Sequence, residues 1–485
     1  MGIIYFVVIN SLLLFLILSN FKNTEYQSNN NTHKNFSFSL IVFISVVTFH
    51  LIYFFIYFYT NMQIWVYGNT INSFSDVISY LNRDNGNLIN TNIHDIIEKS
   101  LGGHSKIEKV YQLEILNKAF ENYYHPVSMN EDPEPSFIFL FFILKFFFPN
   151  LVLMDFYIFI FAISILSIHS IVISIKRIIN RSASVIFLVL SLFYIPYFNG
   201  LFALYHHILI ISAFAIYLKY LELFILKKNN FYVYFILSIL LCFLISCRSS
   251  LIIFIPVILF TNFYTMRSKI EFSKLSFIFV IFYLLIQSIT INGQYNKGKD
   301  GIKYGSHVLW YTFFTGLGET KRIISNADDG IGYELAREKI PEKERMSKDW
   351  DNYFKQESFR LIRENKKDYF NLILYRINKV YHNQSNWRIF NINNFKIKGF
   401  DYFFSVIYLF SIVSLVLTFF INKKSILIKG FLMCLPLIVT SNLHILIFAK
   451  NFYYYLLHPF IYFTFISVFL SAILIEKNNK DIYGI

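Results

Sequence analysis

FSLIVFISVVTFHLIYFFIYFY (Phe38–Tyr59) carries no Asp, Glu, Lys or Arg. Wound as an α-helix at about 1.5 Å per residue, it reaches about 33 Å, enough to cross a hydrocarbon core of about 30 Å. The chain then changes character. Thr60–Pro135 is polar, and a second polar stretch, Asn292–Gly399, interrupts the apolar sequence again. Everything else is close to continuous apolar helix.

Composition agrees. Over 485 residues, 55% are hydrophobic, 20% aromatic and 15% charged, with a mean hydropathy of +0.49, which excludes a water-soluble globule. Spans are expected at about 3–20, 38–59, 151–175, 184–198, 201–224, 231–247, 249–264, 274–291, 400–421, 426–448 and 453–474. Backbone groups in a bilayer must pair internally, so each span should be helical. The expected fold class is an all-α polytopic membrane protein with about 11–12 transmembrane helices and two large, mainly helical extracytoplasmic segments. Its organisation runs 1–59 (first helices), 60–135 (first loop), 136–291 (core), 292–399 (second segment) and 400–485 (last helices).

The net charge of +14 does not point to nucleic acid, because of where the charge sits. Lys176, Arg177 and Arg181 share one short loop, Lys227 and Lys228 a second, Arg267, Lys269 and Lys274 a third, and Lys423 and Lys424 a fourth. Short loops rich in Lys and Arg mark the cytoplasmic side. Eleven alternating spans put all four on one side, both polar segments on the other, and Glu476–Ile485 inside. Ser136–Phe148 is too short to span upright and holds Lys145, so it reads as re-entrant or interfacial, with a tilted span as the competitor. Ile3–Leu18 lacks a basic leader and a good cleavage site, so it reads as a span. The Asn-rich stretch Tyr26–Asn35 reads as a short cytoplasmic loop, and Cys242, Cys247 and Cys434 as core residues.

Several polar residues invite a chemical reading. Asp76 and Tyr80 share a face at i, i+4 in the first loop, although a loop Asp is ordinarily a cap or a solvated acid. Asp132 and Glu134 precede the apolar Ser136 segment, where helix-dipole attraction also accounts for acids. Arg248 lies between two apolar runs, either facing a phosphate or snorkelling to headgroups. His307, Glu319, Asp328 and Asp329 fall in the second segment, and at least one of them is expected to face an active cavity at the outer membrane face. The stretch Glu357–Lys379 mixes apolar and basic residues, as an interfacial helix or a solvated one would.

A helix followed by an external loop with an early D-x-x-x-Y acid and the run Asp132-Pro133-Glu134-Pro135 resembles the GT-C superfamily. Within it, the succession GSHVLWYTFFTGLGE, DDGIGYELARE and a helix leading back to the membrane is similar to the protein-mannosyltransferase-like branch. The proline pattern matches only in part. The resemblance implies an inverting glycosyltransferase in which Asp76 is the catalytic carboxylate, with Tyr80, Asp132, Glu134, Arg248, His307, Glu319 and Asp328 as substrate-binding candidates. It implies a polyprenyl-phosphate sugar donor, a glycan, lipid or protein acceptor, membrane lipids as surroundings, no nucleic acid, and a bacterial plasma membrane with the site facing outside. No cofactor is assigned, and a divalent metal stays open because members of the superfamily differ in metal dependence. Asp76, Asp132 and Glu134 are the carboxylates that could share a divalent ion. An O-antigen polymerase or ligase and a lipid-linked glycan transporter have similar layouts. The early acid weighs against the first, and the lack of an internal repeat against the second.

The charge pattern makes a direct prediction. In sealed, right-side-out membranes, an impermeant thiol reagent should label Ser347→Cys and leave Ser182→Cys unlabelled until the membrane is opened. Equal labelling of both would defeat the topology.

Overall fold

The computed structural model describes residues 31–60, 63–65, 106–108, 153–194, 197–198, 201, 209–225, 231–247, 249–265, 277–278, 281, 309–324, 348–381, 424–447 and 458–483. They are helical almost throughout. The helices are α1 (Asn31–Thr60), α2 (Leu153–Ile178), α3 (Arg181–Leu192), α4 (Leu209–Ile225), α5 (Phe231–Cys247), α6 (Phe254–Thr265), α7 (Leu309–Gly316), α8 (Lys348–Glu364), α9 (Lys366–Tyr381), α10 (Lys424–Ile447) and α11 (His458–Tyr483). A 3-10 turn, Ser249–Ile253, leads into α6. One antiparallel ladder pairs β1 (Gln63–Trp65) with β2 (Lys106–Glu108), Ile64 opposite Ile107. The spans expected at 3–20 and 400–421, and the Ser136 segment, lie outside the described residues, as does nearly all of 274–291.

Three described helices are long and apolar enough to cross a membrane: Ser37–Phe55, Ile158–Ile178 and Ile428–Ile447. Several boundaries differ from the sequence reading, two of them for local physical reasons. Helix α1 starts at Asn31, inside the Asn-rich stretch taken as loop. Once a helix is nucleated, each added residue gains a hydrogen bond, so polar flanks extend it. The expected span 184–198 stops as a helix at Leu192, with Phe193 as its C-cap. Pro196 follows closely, and the residue before a proline is pushed out of the helical region. The chain continues through turns in which the Tyr194 amide donates to Ser191 O and the Tyr197 amide to Tyr194 O.

Side-chain contacts give the helix directions. Ser39 Oγ bonds His169 Nε2 at 3.0 Å, Lys176 lies over the Phe38 ring, and His50 Nε2 meets Ser164 Oγ, so α1 and α2 run antiparallel. Ser167 pairs with Ser212 and Ser174 with Glu222, so α2 and α4 run parallel. Tyr220 reaches Tyr234 and Ser238, which closes α4 and α5 into an antiparallel hairpin. Lys429 Nζ donates to Ile178 O at 3.2 Å, so α10 starts where α2 ends. It follows that α1 and α10 both finish at the same end of the bundle. Lys176, Arg177, Arg181, Lys219 and Lys429 gather at the opposite end.

Large apolar side chains face outward from the bundle, and polar ones are buried within its largely apolar core. Leu40, Ile44, Leu51 and Phe55 on α1, and Ile428, Phe431 and Leu446 on α10, are exposed large apolar side chains. Serines, threonines and His50 are buried among the helices instead. Bridging hydroxyls and small residues are how helices associate where apolar burial gives no driving force. His50 Nδ1 must donate to Val46 O (2.8 Å), since a carbonyl only accepts. A neutral imidazole then accepts at Nε2 from Ser164 Oγ (2.7 Å), which in turn accepts from Tyr197 Oη (2.5 Å). Gly430 allows α10 to approach α11, since a Cβ there would lie 3.2 Å from Val468 Cγ2.

Pro436 sits inside α10. It has no amide hydrogen, so the carbonyl four residues earlier, Leu432 O, loses its helical donor. Tyr217 Oη, from α4, donates to that carbonyl at 2.5 Å. Tyr217→Phe should therefore lower unfolding stability in detergent by about 1–2 kcal/mol. In a Pro436→Ala background, where residue 436 regains its own N–H, the same change should cost clearly less. Equal costs in the two backgrounds would show that Tyr217 does not serve the proline gap.

Candidate functional site

The second polar segment is described at 309–324 and 348–381. Helix α7 packs on α8 through Tyr311 and Phe314 against Phe354, with ring centroids 5.0 and 4.9 Å apart. Trp310, three residues after His307 in the GSHVLWYTFFTGLGE stretch, lies 5.2 Å from the Phe359 ring with Lys355 over its own. That tryptophan works in packing. Past Gly316 the chain tightens into successive i→i+3 bonds, with the Leu317, Gly318 and Glu319 amides donating to Phe314, Thr315 and Gly316 carbonyls. Lys321 takes a left-handed conformation with φ of 56°. A positive φ is costly for a residue with a Cβ, and here it turns the chain away directly after Glu319.

This turn delivers Glu319 to Arg376 on α9. Arg376 Nε donates to Glu319 Oε2 at 2.6 Å, with the two side chains 0% and 3% exposed. Arg376 Nη1 donates to Leu446 O at 2.8 Å and Ile445 O at 3.2 Å, in the last turn of α10. Those carbonyls have no partner within their own helix, and the helix dipole makes that end attractive to a cation. One guanidinium thus joins the turn after α7, helix α9 and the end of α10. Burial pulls Arg376 below the usual arginine range, opposed by Glu319 and Tyr369. It remains cationic, because arginine starts so high. Burial also raises the Tyr369 hydroxyl, with Arg376 pulling it back. Arg376 Nη2 and Thr320 Oγ1, both buried, have no hydrogen-bond partner among the described residues.

A second buried carboxylate organises the basic end. Glu222, 1% exposed, pairs with Arg177 at 2.6 Å and Lys219 at 2.9 Å and accepts from Ser174 Oγ at 3.0 Å. Lys176 and Arg181 both lie over Phe38, at 4.4 and 4.8 Å from its centroid.

Of the catalytic and substrate-binding candidates named from the sequence, only Glu319 is described, and its carboxylate is held by Arg376. Asp76, Tyr80, Asp132, Glu134, Arg248, His307, Asp328 and Asp329 lie outside the described residues. Among the described residues there is no group of three or more His, Cys, Asp or Glu able to hold a metal ion. Arg376 was not singled out from the sequence. Its signal is its place one helical turn after the buried Leu372, a lone arginine on the packed face of α9. No family model matches the chain, and comparison with curated proteins and with solved structures gave no match.

Removing one partner of a buried pair strands the other charge. Arg376→Ala should lower stability in detergent by about 3–5 kcal/mol. Adding Glu319→Gln to Arg376→Met should recover much of that loss. If the double variant were no better than Arg376→Met alone, the pair would not be the stabilising contact.

Proposed function

We propose that the chain is a multi-pass membrane glycosyltransferase, moving a sugar from a polyprenyl-phosphate donor to an acceptor hydroxyl at the outer face of a plasma membrane. The observation that carries this reading is the two-ended bundle. Basic residues crowd one end, while both polar segments meet the other: the first leaves from Thr60, and the second is fastened by Arg376 to the end of α10. Lys and Arg at one end support a cytoplasmic assignment there. The opposite, polar end is then the outer face, where a lipid-borne phosphate sugar meets its acceptor.

The β1–β2 ladder supports a site at that end. It begins three residues after α1 stops and draws together the ends of residues 66–105, the stretch that contains Asp76 and Tyr80. In the proposed reaction the Asp76 carboxylate takes the proton from the acceptor hydroxyl. That oxygen bonds to the anomeric carbon as its bond to the donor phosphate oxygen breaks, and the bonding pair leaves with the phosphate. Attack from the face opposite the leaving group inverts the configuration. Arg248 offers two donors in a plane to the departing phosphate, whose negative charge grows in the transition state.

Asp76→Asn keeps the volume and removes the base. Its turnover with a polyprenyl-phosphate sugar and a glycan acceptor should fall by a factor of about 100 to 10,000, with membrane insertion unchanged. Wild-type turnover by this variant would take Asp76 out of the mechanism.

A further inference from the structure

We infer that α9 is an interfacial helix, with the face bearing Phe370 and Leu374 embedded in the headgroup–acyl boundary of the membrane leaflet at the α10 C-terminus. The inference rests on the multi-pass reading above but not on the glycosyltransferase assignment. Phe370 and Leu374, one turn apart, are 62% and 49% exposed, on a helix whose opposite face buries Leu372 and Arg376. A contiguous apolar patch of this kind marks a protein or membrane interaction surface.

The latch fixes the level of that face. Arg376 Nη1 lies 2.8 Å from the Leu446 carbonyl, and the Leu446 side chain is itself 49% exposed. Leu374 is within two residues of Arg376, so it lies within about 3 Å of it along the α9 axis, and Phe370 within about 9 Å. Arg376 therefore holds the apolar face of α9 beside the last turn of α10. An interfacial helix buries its apolar side by about 5–10 Å, the same zone. Leu446 stands exposed at this junction, so lipid covering it would continue onto the neighbouring face of α9. Lys366 and Lys367, both exposed, stand one turn before Phe370, placed for lipid phosphates.

The test uses the full-length chain in phosphatidylglycerol-containing nanodiscs, with Cys242, Cys247 and Cys434 replaced by alanine. Nitroxide labels go on single variants Phe370→Cys, Leu374→Cys, Phe431→Cys and Gln356→Cys, and collisions with oxygen and with a polar nickel chelate are compared. Labels at 370 and 374 should collide preferentially with oxygen, as at 431, while the label at 356 on α8 favours the chelate. A chelate preference at 370 and 374 beside an oxygen preference at 431 would overturn the inference. Protection from both reagents would overturn it too, by indicating that protein covers this face. A chelate preference at 431 would bring down the multi-pass reading and this inference together. The expected oxygen pattern alongside full turnover by Asp76→Asn would uphold this inference while the assigned catalytic base failed.

Discussion

Helix α10 cannot satisfy its own backbone, and much of the architecture is arranged around that deficit. In its middle, Pro436 leaves Leu432 O without a helical donor, and Tyr217 supplies one from α4. At its end, Ile445 O and Leu446 O are terminal carbonyls, and Arg376 supplies donors from α9. An unpaired carbonyl in apolar surroundings costs free energy comparable to a lost hydrogen bond, so neither gap can be left open. Each donor is a side chain from a distant part of the chain. The same carbonyls that need partners therefore pull α4 against the centre of α10 and the polar segment against its end.

The pattern repeats at the other end of the bundle. Lys429, from the start of α10, donates to Ile178 O in the last residue of α2. A cation at a helix C-terminus meets both unpaired carbonyls and the negative end of the dipole. Glu222 gathers Arg177, Lys219 and Ser174, so mutual repulsion among the cations is partly neutralised there. Glu319 does the same for Arg376. Each end thus has one buried carboxylate that makes a cationic cap tolerable.

Between the ends, the interior is held by short polar bridges. His50, Ser164 and Tyr197 form one chain and Ser167 with Ser212 another. Such bonds have fixed geometry, and they set helix register where apolar contacts alone would permit sliding.

Local rules of apolar length, proline and charge spacing make several described elements legible in the sequence. Phe38–Tyr59 reads, without any neighbour, as a helix long and apolar enough to cross a membrane, and Lys176, Arg177 and Arg181 read as one basic cluster. Glu319 was legible only as a polar residue in a polar segment. That it faces Arg376 was decided by a turn with a left-handed Lys321 and by the docking of α9 on α10, contacts fifty-seven and about seventy residues apart in the chain. The shortened α3 was within reach of local reasoning, since Pro196 announces it. The parallel pairing of α2 with α4, the ladder joining residues 63–65 to 106–108, and the use of Tyr217 to fill the Pro436 gap were not. No local pattern encodes them, because their partners meet only after the bundle has closed.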